Sequence, residues 1–266
     1  MNTLASFYRE REQAILGGGF ILLLILAWQS VPSLLSLPKG ISLFFTTPAE
    51  VVKAFYQLVV TNEIQGHVYV SAVEFIVGLA LAILVGLPLG LLLGRSKTLD
   101  AMLDPFVTAL NATPRLIFLP LLILWLGIGI WSKIVIVFIG ALFPLLINTY
   151  EGVKNVDRVL VNVVRSFGAS EWQTMKIVVL PNSVPYIVAG LRLAIGRALL
   201  GVVVGEFFGA SKGLGFMIAT AATNYKVDVV FVGVTIFMGL SLILTMPVKK
   251  IESKLTRWRP EAAKSF

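Results

Sequence analysis

The sequence predicts an all-α, polytopic membrane protein with six transmembrane helices. Hydrophobic residues make up 57% of the 266 positions, charged residues only 14%, and the mean hydropathy is +0.90, far outside soluble globular usage. Apolar runs of spanning length alternate with short charged segments, and only residues 163–185, VVRSFGASEWQTMKIVVLPNSVP, form a long patterned polar island. At about 20 residues per span, a chain of this length holds roughly five to seven spans and no separate soluble domain. One membrane domain over 1–266 is expected, with an anchor helix and outer loop at 1–47, a core at 48–250 and a tail at 251–266.

The net charge of +8 sits beside apolar spans and not in a basic patch with interleaved aromatics, so it reads as topology and excludes nucleic-acid binding. Cysteine is absent, which removes disulfides, thiolate metal sites and redox chemistry from consideration. No cofactor or metal site is expected.

In chain order the predicted spans are 13–38, 75–94, 116–132, 134–150, 184–208 and 229–248. The first follows Arg9 and Arg11 as a signal peptide would, but it is too long for an h-region and has no small-residue cleavage site, so it reads as a retained anchor. Between it and the second span, Thr47 and Pro48 open a helix that sets Val51, Ala54, Phe55 and Leu58 at helical spacing, a short interfacial element. His67 follows alone and reads as a solvated interface residue without a role.

Lysine and arginine counts set the orientation. Arg9, Arg11, Arg95, Lys97, Lys154, Arg158, Arg165, Lys176, Lys249, Lys250, Lys254, Arg257, Arg259 and Lys264 fall on one side, against Lys39, Lys53, Lys133, Lys212 and Lys226 on the other. Both termini and the 151–183 loop are therefore expected in the cytoplasm.

Within that loop Val153, Val156, Val159, Leu160, Val163, Val164 and Phe167 repeat at the spacing of one helix face. Gly168 ends this helix as a left-handed cap. Ser170 restarts a helix with Gln173 completing a capping box, Trp172, Met175 and Val179 continue it, and Pro181 is expected to stop it. Phe167, Gly168, Ala169 and Trp172 form the tip. Two readings fit: an amphipathic element lying on headgroups, or a knob filling a groove on a partner protein.

This segment resembles the cytoplasmic coupling loop of ABC importer permeases, whose signature is Glu-Ala-Ala, three residues, Gly, nine residues, Ile, one residue, Leu-Pro. Gly168, Leu180 and Pro181 match it and Val178 takes the Ile place, whereas Asn162, Val163 and Val164 replace Glu-Ala-Ala. The likeness runs from about 48 to 250 and is greatest to permeases of the nitrate, sulfonate, taurine and bicarbonate importers. It rests on LPLLILWLGIGIWSKI at 119–134, GLRLAIGRALLGVVVGEFFGASKGLGFMI at 190–218 and VDVVFVGV at 227–234. The resemblance implies a type I importer bundle in the bacterial inner membrane, an external solute-binding protein, cytoplasmic ATPase subunits and a second permease copy as a homodimer. It places Arg165, Phe167, Gly168, Ala169, Ser170, Glu171, Trp172, Leu180 and Pro181 at the ATPase contact.

No GxxxxGK[ST] loop is present, so ATP chemistry must arrive through a partner and the chain itself is not expected to be an enzyme. GASKGLG at 209–215 lacks the closing GK[ST] and reads as a flexible external turn.

Small residues line two spans: Gly190, Ala194, Ala198, Gly201 and Gly205 in the fifth, and Gly78, Ala82, Gly86, Gly90 and Gly94 in the second, which also holds Pro88. Such stripes admit a second helix, within one subunit or at a pore. Charges inside spans cost roughly 2.5–3.5 kcal/mol each, so Arg192, Arg197 and Glu206 should face protein or water. Arg115, Trp125, Arg192, Arg197 and Glu206 are the candidates for a solute path or its gating, with structural or gating roles favoured for Arg115 and Arg192. A guanidinium suits a carboxylate, sulfonate or nitrate oxygen pair, but the importers this chain resembles also carry small neutral heterocycles, so the solute stays open. The resulting expectation is a permease that alternates access as ATP binding moves the Gly168 loop. Its rivals are an ion-driven secondary transporter, which should carry inverted repeats, and a scaffold that recruits a protein but moves nothing.

Overall fold

The computed structural model describes residues 2–34 and 44–255. Ten helices run through them: α1 (Asn2–Leu34), α2 (Pro48–Val60), α3 (Glu63–Arg95), α4 (Lys97–Ala112), α5 (Phe118–Leu126), α6 (Ile130–Lys154), α7 (Arg158–Ser166), α8 (Glu171–Gly209), α9 (Leu214–Thr223) and α10 (Val227–Leu255). Among the described residues α3, α6, α8 and α10 are each long and apolar enough to cross a membrane. The first predicted run lies in α1 as far as Leu34, with its apolar part at Ile15–Ser30, and residues 35–38 lie outside the described residues. Lys39 and the tail cations Arg257, Arg259 and Lys264 lie outside the described residues.

The predicted third span, 116–132, is not one helix. Thr113 takes an extended conformation (φ −70°, ψ 130°), as the ring of Pro114 demands of the residue before it, and this ends α4. A 3-10 turn, Arg115–Ile117, then leads into the nine-residue α5, which spans only about 13 Å before Gly127 (φ +79°) breaks it. Trp131 and Ser132 already belong to α6. The stretch 97–126 is thus two helices in series, and α4 presents no buried residue.

Contacts group the described chain into two compact units, residues 1–65 with 217–235, and residues 66–216 with 236–266. In the first, the indole Nε1 of Trp28 donates to Thr46 O (2.8 Å) and its ring lies 4.9 Å from that of Phe231. Helix α2 begins with the predicted Thr47 cap, and Glu50 completes a capping box that the sequence reading did not name. The backbone N–H of Thr47 donates to the Glu50 carboxylate at 2.8 Å and holds it below the usual carboxylate range.

The second unit is built around α6. Ile136, Val137, Ala141 and Leu145 of α6 form the core with Ala82 of α3, Leu122 of α5, and Ala194, Ala198 and Val202 of α8. Both predicted small-residue stripes face this one helix. A Cβ at Gly78 would lie 2.5 Å from Val137 Cγ1, one at Gly94 2.5 Å from Val153 Cβ, and one at Gly201 3.0 Å from Val137 Cα. Lipid tails are as apolar as leucine, so helices here gain by close van der Waals packing, and side chains at these positions would hold α6 off. The stripes are explained by packing inside one subunit.

Candidate functional site

Helix α6 runs on to Lys154, where Asn155 caps it, and Asp157 starts α7 by accepting the Val159 N–H at 2.8 Å. The single helix expected across 153–167 is therefore two, because an aspartate at Ncap offers the chain a better end than a continued turn. At the far end of α7 the predicted left-handed cap is present. Gly168 has φ +81°, its N–H donates to Arg165 O (2.9 Å), and the Ala169 N–H donates to Val164 O (3.1 Å). That bond pair is a Schellman motif, which satisfies carbonyls the helix would otherwise orphan. Two residues later Ser170 and Gln173 form the reciprocal capping box.

The second loop helix does not stop at Pro181. Met175–Val179 form one turn of π-helix, in which the Leu180 N–H reaches back to Met175 O, and α8 continues to Gly209. Inside a helix the proline ring clashes with the carbonyl four residues back, and one extra residue in the turn gives it room. The loop's second half is thus rigidly continuous with a membrane-crossing helix.

Side chains at the tip point away from the bundle. Phe167 is 87% exposed and Trp172 63%, while Thr174 and Val178 on the opposite face are buried. Lys176 Nζ stands 4.9 Å from the centroid of the Trp172 ring. Glu171 accepts from Arg165 (2.6 Å) and from Arg95 at the end of α3 (3.2 Å). Both pairs are largely exposed and contribute no more than about 1 kcal/mol each, so they orient the turn more than they stabilise it. Ala169 is half-buried and Ser170, Leu180 and Pro181 are exposed. All nine residues expected at the partner contact lie in one continuous stretch of the second unit, 165–181.

The charges expected along a path are not gathered into one place. Arg192 Nε pairs with Glu252 of α10 at 3.3 Å. Trp125 is exposed on α5, and the side chain of Arg115 lies outside the described residues. Arg197 is exposed, and among the described residues its guanidinium has no hydrogen bond or ion pair.

Glu206 is fully buried and faces protein. It accepts from Ser71 Oγ and the Gly215 N–H, both at 2.5 Å, and Glu74 and Lys133 lie against it. Lys133, counted by charge as an outer-loop cation, is 1% exposed and its Nζ donates to the carbonyls of Gly129 (2.9 Å) and Gly209. The 209–215 segment is no flexible turn: Gly213 N–H donates to His67 Nδ1 (3.0 Å), Leu214 N–H to Ser71 Oγ (2.8 Å) and Gly215 N–H to Glu206. His67, given no role from the sequence, is half-buried here and faces the ring of Phe216 at 6.2 Å.

Residues 86–257 match the family described as the binding-protein-dependent transport system inner membrane component. The chain belongs to this family. It is 38% identical over 213 residues to a putative aliphatic sulfonates transport permease protein, SsuC, of Bacillus subtilis, covering 80% of this chain and 77% of that one. It is 30% identical over 255 residues to the taurine transport system permease protein TauC of Escherichia coli, covering 94% and 92%. In fold it is similar to the MetNI methionine ABC transporter in an inward-facing conformation, with TM-score 0.63 and 21% identity over 73% of this chain and 96% of that one. Family membership makes this chain an inner-membrane permease subunit of an ABC importer, and its relatives are named as permeases, not enzymes. It implies an ATPase and a solute-binding protein as partners.

Proposed function

We propose that this permease imports a small sulfonate and receives its ATP-driven stroke through the 151–183 loop. The observation that carries the coupling assignment is the turn at Gly168, which presents exposed Phe167 and Trp172 on a backbone pinned by a Schellman motif and a capping box. Exposed aromatics on a pre-ordered turn lose little entropy on docking and resemble interface anchors elsewhere. The continuity of this turn with α8 supports transmission, because displacement at Trp172 is handed to a membrane-crossing helix without a flexible joint. The sulfonate assignment is supported by the names of the SsuC and TauC relatives.

In this reading two permease copies work with two ATPase subunits, both termini lie in the cytoplasm, and the 209–215 turn faces the binding protein. Arg192, through Glu252, ties α8 to α10 near the coupling end. Glu206 fixes the outer turn, Arg115 lies at the broken third span, and Trp125 stands on α5 toward the outer face.

The test is Gly168→Val in the full transporter reconstituted in proteoliposomes. Gly168 has open space around it but φ +81°, so a β-branched residue there strains the turn without touching the bundle. Uptake driven by ATP should fall at least about tenfold, ATPase association should weaken, and membrane insertion should be unchanged. Normal uptake would sink the coupling assignment.

A further inference from the structure

Where α4 breaks at Thr113 and Pro114, it leaves a cavity of about 360 Å³ against α6 and α8. Among the described residues its polar side chains are Asn111, Thr113 and Arg197, and Gly140 of α6 and Gly201 of α8 also line it. A Cβ at Gly140 would lie 3.1 Å from Arg197 O, and one at Gly201 3.0 Å from Val137 Cα, so α6 and α8 meet backbone to backbone beneath the opening. The size suits a small solute with accompanying water, since ligand cavities begin near roughly 300 Å³.

Arg197 stands twelve residues before Gly209, the last residue of α8, about 18 Å along the helix axis and well inside a hydrocarbon core of about 30 Å. A guanidinium at that depth needs a counter-charge or water. The charged groups on either side of it along α8 are engaged: Arg192 with Glu252, and Glu206 with Ser71 and Gly215. Among the described residues Arg197 has neither hydrogen bond nor ion pair, and it lines this cavity.

We infer that this cavity is a passage site for the oxoanion head of the solute, a sulfonate, with Arg197 giving two parallel N–H donors to its oxygens and Asn111 and Thr113 facing the same space. This rests on the sulfonate-importer reading above. A planar fork of donors matches a pair of sulfonate oxygens, whereas lysine offers only a point charge. The break at Thr113 and Pro114 opens room for a solute beside α6 and α8, which Gly140 and Gly201 let pack closely against each other.

The experiment uses the complete transporter, permease with ATPase and binding protein, in proteoliposomes loaded with ATP, and follows uptake of radiolabelled taurine and ethanesulfonate. Arg197→Gln should lower uptake about tenfold or more, with normal complex recovery and normal ATPase stimulation by the loaded binding protein, and Arg197→Lys should restore part of it. Asn111→Ala should give a smaller loss in the same direction. Undiminished uptake by Arg197→Gln overturns the site. Loss of complex recovery in step with uptake also overturns it, since Arg197 would then pair between protein copies. If the unaltered transporter moves neither sulfonate, the importer reading for sulfonates fails and this assignment falls with it.

Discussion

Gly168 and Gly213 share a left-handed backbone, φ +81° and +125°, but they sit in opposite surroundings. Around Gly168 an added Cβ meets nothing within 4 Å, while at Gly213 it would lie 2.2 Å from Glu206 Oε1. The first glycine belongs to a turn that turns its side chains outward, Phe167 and Trp172 above all. The second belongs to a turn closed over buried polar groups, with His67, Ser71 and Glu206 each accepting from successive backbone N–H groups. One turn exposes its aromatics and the other closes over polar groups, so in the proposed reading the first meets another molecule and the second holds this one together. Substitutions should therefore separate function from stability cleanly.

The largest effect is expected at the buried turn. Glu206→Leu removes the acceptor for Ser71 and Gly215 and takes a carboxylate away from buried Lys133, a loss of about 3–5 kcal/mol. Gly213→Ala, which drives a methyl into that carboxylate, should cost about 3 kcal/mol or more. Both should lower the unfolding midpoint of the purified protein in detergent, and an unchanged midpoint would mean that the cluster does not hold the fold.

Gly168→Ala, by contrast, should cost only the left-handed strain of about 1–2 kcal/mol, confined to the loop. Its thermal midpoint should stay close to that of the parent while uptake falls. Equal loss of stability at Gly168 and Gly213 would erase the contrast between the two turns.

The loop was legible because its signals are local. Gly168, the Ser170 to Gln173 spacing and the apolar face of α7 lie within a few turns of one another, and each has a fixed conformational consequence. Where the local reading failed, a competing local device won: Asp157 capped α7, and the π turn made room for Pro181. Likewise Pro114 ended α4 through its effect on Thr113, and Gly127 broke the predicted third span. The buried cluster was not legible, because Ser71, Lys133 and Glu206 meet only in three dimensions. Glu74 and Lys133 had been placed at span boundaries, since a charge next to an apolar run reads as its end. The signal was present in their position beside uninterrupted apolar helix, which a charge tolerates when protein, not lipid, surrounds it.

A smaller effect should follow truncation at the exposed tip. Phe167→Ala and Trp172→Ala each remove an aromatic with no role in the bundle, so association with the ATPase should weaken by about 2 kcal/mol, roughly thirtyfold in Kd, with no change in thermal midpoint. Binding measured between the solubilised permease and its ATPase distinguishes this from lipid contact, for which Kd would not move. The smallest effect is at Glu171→Ala, which releases the exposed pairs to Arg95 and Arg165 and should cost less than about 1 kcal/mol of ATPase affinity, diminishing further at high salt.

Because the chain contains no cysteine, a single introduced thiol reports on one place only. Ser166→Cys sets an exposed thiol beside Phe167, and Lys212→Cys sets one on the Gly213 turn. Maleimide labelling of both should be measured in the permease alone and in the assembled transporter. Docking at the Gly168 turn predicts that the thiol at 166 becomes protected when the ATPase is bound while the one at 212 does not. Equal labelling at 166 with and without the ATPase would contradict the coupling role of the loop.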